Sequence, residues 1–142
     1  MNSGLQQPRV SSLTPAGDGG VFVHGGFHYV NGVGRRALAK FLADGRLDES
    51  FDPRRGLNSS GIIVGSQPML QPDDKLILYG YPGNPSGLPR LVRLNPDGSQ
   101  DPAFRSSSVS VWYRPFLLQR DGKVVIGGAF TNWTDFPTMR QV

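Results

Sequence analysis

Short apolar runs alternate with polar, turn-forming clusters along the whole chain, at intervals too short for packed helices. Val21-Phe22-Val23, Leu76-Ile77-Leu78 and Val124-Val125-Ile126 are apolar without alternation, the pattern of a strand covered on both faces. Each follows a turn cluster: Asp18-Gly19-Gly20, Asp73-Asp74-Lys75 and Asp121-Gly122-Lys123. The predicted first unit has strands over 10–13 and 21–23, the second closed by Gly25-Gly26. A tight turn at Asn31-Gly32 follows, then strands over 37–42 and 47–51 joined by the 43–46 turn. A polar connector, 53–60, leads to a second unit with strands over 61–70, 76–79, 89–94 and 100–104. A third unit has strands over 109–118 and 123–126, and a third strand beginning at 139–142.

The order recurs at a near-constant period. Asp44-Gly45 and Asp97-Gly98 lie 53 residues apart, as do Phe51 and Phe104, and Asp73 and Asp121 lie 48 apart. Four short strands in roughly 50 residues is the size of one β-propeller blade. The expectation is an all-β fold of antiparallel β-propeller-type blades, about two and a half four-stranded repeats in one repeat domain. Its parts are a lead-in over 1–9, blades over 10–60 and 61–108, and an incomplete blade over 109–142. Closed propellers take about four to eight blades. Three readings follow: a piece of a longer array, termini that pair with another copy, or a partner protein that covers the open edges.

Composition agrees with a turn-rich β protein. The 19 Gly and 12 Pro sit between apolar runs as punctuation, whereas a disordered chain lacks the Val, Ile, Leu and Phe that fill those runs. The absence of cysteine excludes disulfides and thiolate metal sites and leaves the compartment open. Residues 1–10 carry no apolar signal core, and no run reaches membrane-spanning length. The chain is therefore cytosolic, or has lost a signal, or is an excised piece. The net charge is +4, but the arginines are dispersed, with no basic stripe of the kind that binds nucleic acid.

Candidate chemistry is sparse. Asp44-Gly45, Asp73, Asp97-Gly98 and Asp121-Gly122 occupy equivalent turn positions, and a turn Asp that bonds its own backbone two residues on explains them without calcium. His24 and His28 have the spacing of a helical metal pair, but Gly25-Gly26 between them excludes a regular helix. There is no cysteine nucleophile and no Gly-x-Ser-x-Gly elbow. The glycine pairs lack a following helix to bind phosphate. No metal, cofactor or catalytic residue is expected, and the chain is read as a non-enzyme. The best binding candidates are Trp112, Tyr113 and Trp133, where a ring can stack on a sugar or anchor a protein, and the cation pair Arg54-Arg55. Each has a plainer alternative: inter-blade packing for the rings, solvation for the arginines.

Written out, the repeat resembles the delta-60 repeat family of bacterial β-propeller-like proteins. The carrying residues are Gln71-Pro72-Asp73, Asn95-Pro96-Asp97-Gly98-Ser99 with Asp101 and Phe104, and Gln119-Arg120-Asp121-Gly122-Lys123 through Gly128 and Phe130. Gly25-Gly26-Phe27, Asn31-Gly32-Val33, Leu47-Asp48 and Phe51 carry it in the first unit. Asp74 in place of the turn glycine and Tyr81 in place of a paired glycine depart from the pattern. The resemblance implies a repeat scaffold in an extracytoplasmic setting (secreted, periplasmic or cell-surface) and no shared catalytic site. The functional expectation is a non-catalytic interaction module. It binds another protein, or a second copy, through loops or open blade edges. The alternative is a glycan-binding module that uses Trp133.

Overall fold

A computed structural model describes residues 9–55, 57, 67–80, 90–104, 116–126 and 139–141. The fold is all-β. In the first unit β1 (Val10–Pro15), β2 (Val21–Gly25) and β5 (Leu38–Phe41) form an antiparallel sheet in the order β1-β2-β5. Between β2 and β5 a small hairpin, β3 (Tyr29–Val30) with β4 (Val33–Gly34), closes on Asn31 and Gly32. Both turn residues have positive φ (50° and 78°), the tight-turn geometry that an Asn-Gly dipeptide favours. The second unit repeats the arrangement as β6 (Met69–Leu70), β7 (Leu76–Gly80) and β8 (Arg90–Leu94), again antiparallel. The third contains β9 (Phe116–Leu118), β10 (Val124–Ile126) and β11 (Met139–Gln141).

Two details depart from four antiparallel strands per blade. The fourth strands expected over 47–51 and 100–104 shrink to single bridges, Phe41 with Leu47 and Leu94 with Gln100. The cause is the aspartate that follows each bridge. Asp48 accepts from the Ser50 amide and Asp101 from the Ala103 amide, and such side-chain-closed turns divert the backbone from the ladder. The second departure is that β11 pairs with β10 in parallel, which requires a crossover rather than a hairpin between them. The first strands of the second and third units are described only over 69–70 and 116–118, so the rest of their expected spans lies outside the described residues.

The middle sheet organises the core because its side chains alternate between two neighbours. Leu76 and Leu78 of β7, with Val92 and Leu94 of β8, pack with Phe22, Leu38, Phe51 and Leu57 of the first unit. Ile77 and Tyr79, with Leu91, pack with Val124 of the third unit, flanked by Met69, Phe104 and Leu118. Strand period two sends successive side chains to opposite faces, so a strand apolar at every position is one with a blade on each side. Each fully buried aliphatic or aromatic side chain contributes about 1.5–3 kcal/mol. Phe22 meets the Phe51 ring edge-on, with centroids 5.2 Å apart and planes at 74°. Leu57 is buried in the same cluster, so the connector expected to be polar anchors itself in the core. The first sheet differs from the middle one. Phe22 and His24 are buried, but Val21 and Val23, which point the other way, stay half-buried.

Candidate functional site

Five turns of one design join the strands. The amides of Ala16, Leu42, Gln71, Asn95 and Gln119 each donate to the carbonyl four residues on. The amides of Gly19, Gly45, Asp74, Gly98 and Gly122 donate back three residues. The latter five residues all have positive φ: 82°, 84°, 60°, 86° and 80°. This is the left-handed position that glycine occupies without steric penalty. One residue earlier, Asp18, Asp44, Asp73, Asp97 and Asp121 accept from the backbone amide two residues on. The bond at Asp73 is the longest, 3.4 Å against 2.9–3.2 Å elsewhere. It stands in the turn whose left-handed residue is Asp74. Local donors hold four of these carboxyls below the ordinary range. The Lys40 side chain leads at Asp18, the Arg46 amide at Asp44, the Ser99 hydroxyl at Asp97 and the Lys123 side chain at Asp121.

A second pair of carboxylates, Asp48 and Asp101, lies buried where the fourth strands break off. Asp101 Oδ2 accepts from Lys75 Nζ and Arg93 Nε, each at 2.9 Å. The Lys75 bond, outweighing burial, holds this carboxyl below the usual range, with help from the Ala103 amide and the Arg93 charge. In the first unit Lys40 takes the place of Arg93. It reaches Asp18 at 2.6 Å and Asp48 at 3.3 Å. Burial pulls the Lys40 ammonium down, but its two carboxylate partners outweigh that and leave it above the ordinary lysine value. Each cation also covers a ring, Lys40 over Phe22 at 5.7 Å and Arg93 over Phe104 at 4.9 Å. Lys40, Asp48, Arg93 and Asp101 thus close turns and cover core rings. Asp18, Asp44, Asp48, Asp97, Asp101 and Asp121 are all held below the ordinary carboxylate range, the opposite of the raised value that suits a general acid.

Polar clips join neighbouring units. The Asp52 amide donates to the Asp97 carbonyl at 3.0 Å, and Gly98 lies so close to Asp52 that an added Cβ would stand 2.5 Å from its backbone. Thr14 Oγ1 donates to the Pro68 carbonyl at 2.8 Å, and Gln71 Nε2 to the Gly122 carbonyl at 2.9 Å. Arg54 and Arg55 sit on a 3-10 turn, Pro53–Arg55, at this first junction. Arg54 forks onto Asp52 through Nε and Nη2, both at 2.8 Å, and Arg55 lies 3.7 Å from Asp97. Trp112, Tyr113 and Trp133 lie outside the described residues. His24 is buried in β2 while His28 is exposed. Among the described residues no group of three His, Cys, Asp or Glu could hold a metal ion. The sequence reading missed Arg35, buried with Nη1 on the Gly34 carbonyl and Nη2 on the Asp48 carbonyl, its Nε unpartnered. Only the neighbouring apolar Val33 hints at a stem that packs inward. A cleft of about 220 Å³ opens between the first two sheets, where Phe22, Lys40 and Asp18 face Asp74.

Sheets joined by turns of one design, stacked face to face with polar clips between neighbours, define a β-propeller-type repeat protein. A family model described as "Domain of unknown function (DUF5122) beta-propeller" matches residues 16–51, 71–104 and 119–136, well over half of the chain, and the chain belongs to that family. The matched segments begin at the first hairpin turn of each unit, and the first two end on Phe51 and Phe104. No curated protein and no solved structure matches the chain. Among the described residues no helix is long and apolar enough to cross a membrane.

Proposed function

We propose that the chain is a non-catalytic interaction scaffold that binds another protein through its loops and open blade ends. One observation carries this reading. The carboxylates Asp18, Asp48, Asp52, Asp97 and Asp101 and the cations Lys40, Lys75 and Arg93 are engaged in turns, ion pairs and ring contacts, while large apolar side chains stay exposed on strands, Leu13 of β1 and Leu117 of β9 among them. An exposed apolar side chain on a sheet that elsewhere buries such groups is surface suited to a partner. The resemblance to delta-60 repeats supports the same role and, with it, an extracytoplasmic setting in a bacterium.

Cross-linking the chain in its native cellular setting and mapping the linked positions tests the reading. The expected links run from the outer sheets and connecting loops into another polypeptide chain. Links confined to single protomers would overturn it.

A further inference from the structure

A groove of about 440 Å³ runs between the β3–β4 hairpin and the turn that follows β5, lined by Asn31, Val33, Leu42, Arg46, Leu47 and Glu49. That volume lies within the range of about 300–1,000 Å³ typical of binding sites. Val33, Leu42 and Leu47 are half-buried and make an aliphatic floor, while Asn31, Arg46 and Glu49 stand exposed around it.

The second unit shows how little of this lining the turn itself requires. At the 53-residue offset of the two Asp-Gly turns, Leu42, Arg46, Leu47 and Glu49 correspond to Asn95, Ser99, Gln100 and Pro102. Both turns close with the same backbone bond, from the Leu42 amide to the Arg46 carbonyl and from the Asn95 amide to the Ser99 carbonyl, each at 2.8 Å. Both then return to the third strand through one bridge, Phe41 with Leu47 and Leu94 with Gln100. In the second unit the side chains reinforce the turn, with Asn95 Nδ2 donating to Ser99 Oγ at 3.0 Å. In the first unit a leucine and an arginine hold those two positions, and a second leucine replaces Gln100. Aliphatic side chains left half-exposed where the same turn closes with polar ones belong to a contact surface.

The rim decides what can lie on this floor. Arg46 Nε donates to Asp44 Oδ2 at 2.7 Å, so those two charges offset each other. Glu49 and the Asn31 side chain have no hydrogen bond or ion pair with any described residue. The rim therefore carries one uncompensated negative charge, on a chain whose net charge is +4. None of the lining residues is aromatic, so the floor fits an aliphatic side chain and gives the face of a sugar ring nothing to stack on. Asn31 offers a carbonyl acceptor and an amide donor, the complement of one peptide unit. We propose that the groove binds an extended segment of a partner protein in which an aliphatic residue stands beside a lysine or arginine. The aliphatic side chain lies on Val33, Leu42 and Leu47, the cation meets Glu49, and a backbone peptide unit pairs with Asn31. This inference rests on the scaffold reading above and gives it a site and a partner chemistry.

Amide chemical shifts of the isotope-labelled chain, followed during titration with short capped peptides, test the proposal. The probes carry Leu-Arg, Leu-Glu or Ser-Arg within an otherwise identical Gly/Ser sequence. The Leu-Arg peptide is expected to shift the amides of Val33, Leu42, Leu47 and Glu49 and the side-chain amide of Asn31, and the other two to bind more weakly. Glu49→Gln alters an exposed side chain and is expected to weaken Leu-Arg binding roughly two- to fivefold, the worth of one exposed ion pair, and to remove most of its salt dependence. Leu42→Asn installs the residue of the equivalent turn in the second unit, so the turn is kept and the peptide shifts are expected to disappear. Unchanged shifts elsewhere in the sheets verify that each variant is folded. Equal affinity for the Leu-Arg and Leu-Glu peptides, or shifts that survive Leu42→Asn, would overturn the proposal. So would groove shifts produced by a methyl glucoside and by none of the peptides, which would make the occupant a sugar. Absence of groove shifts with every peptide, while cellular cross-links to another polypeptide persist, removes the groove and leaves the scaffold standing; absence of both removes both.

Discussion

Five hairpin turns each place one residue in the left-handed region, and the surroundings of those residues differ enough to separate backbone strain from steric contact. Gly45 has φ of 84° with nothing within 4 Å of where a Cβ would lie, whereas a Cβ on Gly98 (φ 86°) would stand 2.5 Å from the Asp52 carbonyl. Gly45→Ala is expected to lose only the left-handed penalty, about 1–2 kcal/mol. Gly98→Ala adds a backbone clash and strains the bond from the Asp52 amide to the Asp97 carbonyl, for a loss of about 3–4 kcal/mol. Asp74 holds φ of 60° in the one turn of the five without glycine there, so Asp74→Gly is expected to stabilise by about 1 kcal/mol. Urea unfolding of the three variants checks this ordering. Equal losses at Gly45 and Gly98 would mean that the junction between the first two units is loose.

At the scale of elements, the third strand and the break in the fourth are held together by a carboxylate and a cation. The Asp101 side chain is 6% exposed, between Lys75 and Arg93. Its folded pKa is lowered, so its stabilisation is fully present above the ordinary Asp value of about 3.9 and is lost as pH falls through the lower folded value. Asp101→Asn leaves two cations facing a neutral amide and is expected to cost about 2–3 kcal/mol at neutral pH. The difference from wild type should narrow progressively below about pH 4. Denaturant unfolding from neutral to acidic pH measures it, and a difference constant across that range would show that the carboxylate's charge is immaterial. The sequence revealed the turn half of this unit and not the strand half. Asp-Gly at a fixed spacing specifies a turn by local chemistry alone, and β2, β7 and β10 were legible because consecutive apolar residues need cover on both faces. The expected fourth strands ran too far because Phe51 and Phe104 resemble strand residues; they reach the core through turns that Asp48 and Asp101 close. Buried Leu57, buried Arg35 and the clip from Asp52 to Asp97 depend on contacts between segments, and no local pattern encodes those. Of the proposed binding residues, Arg54 and Arg55 were legible as exposed cations, but their engagement with Asp52 and Asp97 depends on how the two units meet.

Across the whole molecule the sheets form a one-dimensional stack, and in such arrays stability is a sum of unit and nearest-neighbour terms. The middle sheet has two neighbours: Leu76 and Leu78 meet the first unit, while Ile77 and Tyr79 meet the third. Amide exchange in β7 therefore requires the loss of two interfaces, whereas β2 opens with the loss of one. Protection is expected to be greatest in β7 and lower in β2 and β10. Phe22→Ala removes the ring that lies against the Phe51 ring and packs with Leu76 and Leu78. The truncation costs about 3–5 kcal/mol and loosens the junction between the first two sheets only. Under conditions where the chain stays folded, hydrogen exchange should then rise in β2, β5 and β7, with β10 unchanged. A uniform rise across all three sheets would mean that the blades open as one cooperative unit. A rise confined to β2 and β5 would mean that the third sheet alone protects the middle one. The pattern in which β7 responds and β10 does not is the outcome expected if junctions act singly.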